Sequence, residues 1–307
     1  MCHWNTVNWN CIIRKETLEE KLSEEEKHAL SRLQKELSEQ KKVELLFTDA
    51  DLEKDITFFL SGHHVKPEEC MLLATEPEEV AWAKKDADSD SDSDQLTIIG
   101  YEVPDFSKQM PLSNVDMLLL GLEEVDTEFL LRTFQRKHHL PWRILETKRC
   151  YLREITLDDM DDLFDLYNKK GITDYIEPLY ERQEEEEYQR AYIENMYGYY
   201  GYGMWLAKER GTHRLIGRAG IDYRMLGEEE IIEMGYVIAP EYQRQGYAYE
   251  VCQAIMAWVK NNLDFRRIDC LVEPGNEASL GLLHKLGFQE TCLLYTSPSP
   301  RDGLLSR

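Results

Sequence analysis

No apolar run in this chain approaches the ~18–20 residues that a membrane-spanning helix needs, so no membrane association is expected. The opening residues, Met1 to Asn5, lack a charged region followed by an apolar stretch, so no secretory leader is expected. Cysteine is sparse and unpatterned: Cys2, Cys11, Cys70, Cys150, Cys252, Cys270 and Cys292 contain no Cys-x-x-Cys pair. An odd, unspaced set points to reduced thiols in a cytoplasm. Cys252 and Cys270 read as small buried apolar residues. Positive charge is short: 36 Lys and Arg stand against 59 Asp and Glu, a net charge of −23. Such a surface repels phosphate backbones, which argues against nucleic acid as a partner, and it suits a cationic amine.

Metal-ligating patterns are also missing. The His63-His64 and His138-His139 pairs are adjacent rather than one helical turn apart, so they face no common ion and read as surface or turn residues. The Asp/Ser run at 86–94 lacks the turn glycine and bidentate glutamate of a calcium loop, which leaves a solvated linker.

What is present, 307 residues, suffices for two domains with separate cores. Residues 1–42 read as an N-terminal extension with an amphipathic helix over 17–42. Thr17 and Glu20 form its capping box, and Leu18, Leu22, His28, Leu30, Leu33 and Leu37 its partial apolar stripe. Residues 43–147 read as a small α/β unit. Short apolar runs at 43–47, 71–74, 96–99 and 115–120, with helical patterns at 78–85 and 126–138, argue a parallel sheet.

The most informative stretch runs from Glu233 to Ala248. An apolar, β-branched run ends at Pro240; Gln243-x-x-Gly246-x-Ala248 follows, and helical spacing continues from Tyr249 to Val259. A strand thus passes through a tight turn into a helix N-terminus, where unpaired N–H groups and the helix dipole suit a diphosphate. Gly246 permits close approach of the backbone, and no Gly-Lys-Ser/Thr follows as in a Walker loop. A second element, Asn276-x-x-Ser279 with Lys285-Leu-Gly287-Phe288, stands downstream.

Together these motifs resemble the GNAT N-acetyltransferases, nearest the branch acting on ribosomal-protein alanine termini. The resemblance covers about 148–290, within a domain expected over 148–291. It implies a mixed, largely antiparallel α/β sheet with flanking helices and an order β-α-α-β-β-β-α-β-α-β. The strands would lie at 149–155, 204–207, 215–223, 231–238 and 266–273, with one starting at Phe288; the helices would follow Thr156, open at Glu184 to about Tyr197, and span 278–286. It also implies acetyl-coenzyme A as cofactor and a primary amine, on a small molecule or a peptide, as acceptor. Tyr236, Val237 and Ile238 would bond the pantetheine arm; Gln243, Arg244, Gln245, Gly246, Tyr247 and Ala248 would cradle the diphosphate; Asn276 would bond the arm or merely cap its helix. Glu233 would be the base or a plain strand-edge acid, and Ser279 the acid or a helix-start hydroxyl. The aromatic cluster Tyr197 to Trp205 would either meet the amine or pack on the core.

Two further resemblances bear on the ends of the chain. Asp49-Ala-Asp51, Thr75, Glu123 and Glu124 resemble the acids and hydroxyl of a haloacid-dehalogenase-like hydrolase. That implies, as the alternative function, a phosphatase or a ligand-sensing module with a degenerate acetyltransferase half. Leu52-Glu53 stand where that family has Gly-Thr, so no phosphatase turnover is expected. Residues 292–307, with two Ser-Pro steps, cannot continue a paired strand and read as a non-native tail, which would leave one side of the acceptor site incomplete.

Overall fold

Five short runs, Trp9–Arg14 (β1), Val43–Thr48 (β2), Cys70–Ala74 (β3), Thr97–Tyr101 (β4) and Met117–Leu119 (β5), pair in parallel in the computed structural model, in the order β2-β1-β3-β4-β5. The structure describes residues 9–14, 22–39, 43–48, 66–84, 96–102, 112–226, 229–265 and 267–291. Every position of β3 and β4 is buried, as in a parallel sheet covered on both faces. The helices of this unit are Glu24–Glu39 (α1), Pro77–Ala83 (α2) and Thr127–Lys137 (α3). α1 begins later than its expected box at Thr17, which lies with Leu18 outside the described residues. Ser23 and Glu26 cap it instead: the Ser23 N–H donates to Glu26 Oε2 at 2.9 Å, and the Glu26 N–H to Ser23 Oγ at 3.2 Å. Leu22, Leu30, Leu33 and Leu37 are buried beneath it, whereas His28 is exposed.

Two boundaries differ from the sequence reading. Residues 9–14 are not part of an extension; they form β1, between β2 and β3. Ligand clefts of open parallel sheets form where strand order reverses, here at β1 and β3. The Asp49 and Asp51 positions follow β2, an edge strand, and themselves lie outside the described residues. Glu123 gives its carbonyl to Arg32 Nη2 at 2.7 Å, and the Thr75 N–H donates to Glu79 Oε2 at 2.6 Å. Nothing among the described residues of this unit supports the hydrolase alternative. His63-His64, the 86–94 run and residues 292–307 also fall outside the described residues, while the His138 Nε2 meets Thr97 Oγ1 at 3.0 Å.

The chain divides into two compact units at Leu140/Pro141. The second holds an antiparallel sheet of Arg143–Glu146 (β6), Cys150–Arg153 (β7), Met204–Glu209 (β8), Leu215–Leu226 (β9) and Glu229–Ile238 (β10), in the order β10-β9-β8-β7-β6. β6 pairs with β7, so a boundary at 147/148 would cut a hairpin. The helices are Met160–Tyr167 (α4), Arg182–Tyr192 (α5), Tyr247–Asn262 (α6) and Glu277–Leu286 (α7); α5 runs on as a π-helical segment, Ile193–Tyr200.

Register assigns the faces, because side chains directly opposite on paired strands share one side of the sheet. Trp205 opposes Ala219, which opposes Tyr236; the Trp205 ring meets Trp258 of α6 edge-on, with centroids 5.1 Å apart. Arg218 and Asp222 point to the other face, where Tyr192 of α5 contacts both. The aromatic cluster therefore divides: Tyr197 and Trp205 are fully buried, while Tyr199 and Tyr200 are exposed.

Two expected strands are not formed among the described residues. Residues 267–273 make one isolated parallel bridge, Asp269 to Glu233, and Phe288 starts no strand among the described residues. β-branched residues alone do not make a strand where the partner ladder is missing.

Candidate active site

The turn after β10 is built by two left-handed residues. Arg244 has φ 59° and Gly246 φ 80°, and Gly246 is the N-cap of α6. Alternating left-handed residues turn successive N–H groups toward one concavity, and the first N–H groups of α6 have no intrahelical acceptor. The amide side chains are spent on shaping the loop. Gln243 Nε2 donates to the Ile238 carbonyl at 2.8 Å, and Gln245 Nε2 to the Glu241 carbonyl at 2.7 Å. Tyr247 is buried, its ring edge-on to Tyr242, and Ala248 packs on the core. With these amides engaged, the backbone N–H groups of the loop are left to meet an anion.

Two acids beside this loop are paired with cations. Glu241 pairs with Lys169, and the Glu250 carboxylate takes both the N–H and the Nε of Arg149, at 2.8 and 2.7 Å. Burial opposes the charge of Glu250, but bonds from Thr147 and Arg149 outweigh it and hold its pKa low. The concavity thus fits a diphosphate on both shape and charge.

β10 is the sheet edge. The Met234 N–H donates to the Asp269 carbonyl, and the Asp269 N–H to the Ile232 carbonyl, each at 2.8 Å. Even-numbered residues therefore turn their backbone groups outward. By the same alternation the N–H groups of Tyr236 and Ile238 face an edge that no described strand covers. Val237 points its backbone to β9 and its side chain to the α5 face.

Glu233 and Ser279, expected as base and acid, approach this strand from opposite faces. Ser279 Oγ lies 2.6 Å from the Tyr236 hydroxyl. Burial pushes the Tyr236 phenol up to about 12, and its bond to Ser279 pulls the other way. The Asn276 side chain accepts the Ser279 N–H at 3.1 Å, so its carbonyl oxygen is used as a helix cap. On the other face, Glu233 receives Arg224 Nη1 at 2.6 Å and stands directly opposite Asp222.

Asp222 was not legible as a site residue. The Met204 N–H donates to the Tyr192 hydroxyl at 2.7 Å, so that hydroxyl directs its own proton to Asp222 Oδ1, at 2.5 Å. Lost hydration pushes the Asp222 carboxyl up to about 6; the Tyr192 bond and the charges of Arg218 and Arg224 oppose this, while Glu233 adds to it. Arg218 is buried, with its guanidinium 5.6 Å from the Tyr192 ring centroid and its Nε without a partner among the described residues. Arg149, Arg224, Tyr192 and the Tyr236 phenol were likewise missed. Only the β9–β10 register could have revealed Asp222 and Arg224.

The thiols described in this unit are poor candidates for nucleophiles. Cys150 and Cys252 are buried and Cys270 half-buried, all free. Burial pushes Cys150 up to about 11 and Cys270 up to about 12.

The family profile described as acetyltransferase (GNAT) domain matches residues 149–289. The uncharacterised N-acetyltransferase YoaA of Bacillus subtilis is 32% identical over 166 residues, covering 52% of this chain and 92% of YoaA. The uncharacterised N-acetyltransferase p20 of Bacillus licheniformis is 30% identical over 154 residues, or 49% and 84% of the two chains. A crystal structure of an acetyltransferase from Agrobacterium tumefaciens is 23% identical, with a TM-score of 0.43 over 50% of this chain and 88% of that one. With a sheet, a helix-start loop and relatives that agree, the chain is an acyltransferase and belongs to the GNAT acetyltransferase family, which uses acetyl-coenzyme A.

Proposed function

We propose that this chain transfers acetyl from acetyl-coenzyme A to a primary amine, on a small molecule or a peptide terminus, by direct attack. The cofactor, when bound, supplies an acetyl group activated as a thioester. The N–H groups from Arg244 to Ala248 hold the diphosphate, and the outward N–H groups of Tyr236 and Ile238 hold the arm that follows it. Glu233, on the α5 face, takes up the proton that the attacking amine loses, directly or through water. On the opposite face the Ser279 hydroxyl returns a proton to the departing sulfur, backed by the Tyr236 hydroxyl 2.6 Å away.

The observation that carries this reading is the open edge of β10, with a carboxylate on one face, a hydroxyl pair on the other and the anion loop at its end. Calorimetry with coenzyme A tests it. Gly246→Asp puts a carboxylate against the diphosphate and forces an L-residue to φ 80°. Coenzyme A affinity should fall at least about tenfold; equal affinity in this variant refutes the loop assignment. A panel of amines with acetyl-coenzyme A then identifies the acceptor.

A further inference from the structure

The cofactor loop is tied to a residue 96 positions earlier in the chain. Arg149, at the foot of β7, makes four separate contacts there. Its backbone N–H and its Nε engage the two oxygens of Glu250, in the first turn of α6. Its Nη1 donates to the Gln245 carbonyl at 3.0 Å. Its guanidinium carbon lies 3.9 Å from the Tyr247 ring centroid. Its Nη2 stands 3.6 Å from the point a Cβ on Gly246 would occupy.

We infer that Arg149 is a positioning residue for the coenzyme, a clamp that holds the diphosphate loop in its binding shape before the coenzyme arrives. This rests on the cofactor reading above. A turn with two left-handed residues is costly to order, and a loop ordered in advance spares the ligand that cost. The planar fork of arginine suits the task, since it meets carboxylate, carbonyl and ring face together. Lysine retains the charge but cannot make that set of contacts.

The test compares Arg149→Gln, Arg149→Lys, Glu250→Gln and the Arg149→Gln/Glu250→Gln double variant in the full chain. Coenzyme A affinity is read by calorimetry, steady-state kinetics give KM and kcat, and circular dichroism checks folding. Each single variant should weaken coenzyme A by about tenfold, with the loss in KM for acetyl-coenzyme A rather than in kcat. The double variant should be no worse than either single one, because both break one clamp. Unchanged affinity, rescue by lysine, or additive losses would each overturn the clamp. Wild-type protein that binds no coenzyme A would instead refute the cofactor reading itself. Should Arg149→Gln not fold, Glu250→Gln, which keeps the arginine, carries the same comparison.

Discussion

Asp222→Asn should stabilise the second unit at pH 8 and do little at pH 5. The Asp222 carboxyl, ordinarily at 3.8, is pushed up to about 6 in the folded chain. The folded state therefore holds its proton more tightly than the unfolded state. Between about pH 4 and 6 the folded form carries more protons, so stability is highest below that window, falls as pH rises through it, and is flat above. Raising the carboxyl from 3.8 to about 6 corresponds to a ceiling of about 3 kcal/mol. The side chain is half-buried, so residual hydration reduces this to roughly 1–2 kcal/mol. Asparagine is close in shape, and its Oδ1 can still accept the Tyr192 hydroxyl. Hydrogen exchange of β8 and β9 amides, corrected for intrinsic rates, reports opening free energies for this unit separately from the first. Wild type should lose about 0.5–1 kcal/mol of protection from pH 5 to pH 8 relative to the variant, since half of the window lies below pH 5. Parallel changes in the two proteins, or a less stable variant at pH 8, would refute the argument that lost hydration dominates at Asp222.

Glu233→Gln should lower turnover about a hundredfold while coenzyme A binding persists, with partial recovery at higher pH as the amine loses its proton unaided; near-full turnover at neutral pH removes Glu233 from the role of base. Ser279→Ala and Tyr236→Phe should each lower kcat by roughly tenfold or more, and the double variant should add little, since one hydroxyl pair is broken in each case; stopped-flow detection of thiol release separates this from a change in binding.

Short-range chemistry was readable. The 231–248 strand, turn and helix depend on residues adjacent in the chain, so Gly246 and the following apolar spacing suffice to locate them. Asn276 and Ser279 likewise behave as a local cap pair, which is why both the cap and the candidate hydroxyl were expected. The second helix and the tyrosine segment after it were placed, but their division into the buried Tyr197 and the exposed Tyr199 depends on how a π-helical turn faces the sheet.

By itself the sequence located a strand, a tight turn and a helix start over 231–248, because backbone geometry and helix-end N–H groups are set by neighbouring residues; the antiparallel sheet around them was implied by the family resemblance. It also put Glu233 on that strand and Ser279 at a later helix start; their approach to one strand came from the structure. Only the tertiary structure decided the faces, since a register shift of one residue in β10 would exchange those of Glu233 and of Tyr236, whose hydroxyl meets Ser279. The same holds for β1, whose six residues become a strand through pairing with β2 and β3, and for Asp222, which becomes exceptional only when Glu233 stands opposite and Tyr192 packs above it. Arg149 reaches its loop across 96 residues. Such contacts depend on loop closure and cross-strand packing, and no local pattern encodes them.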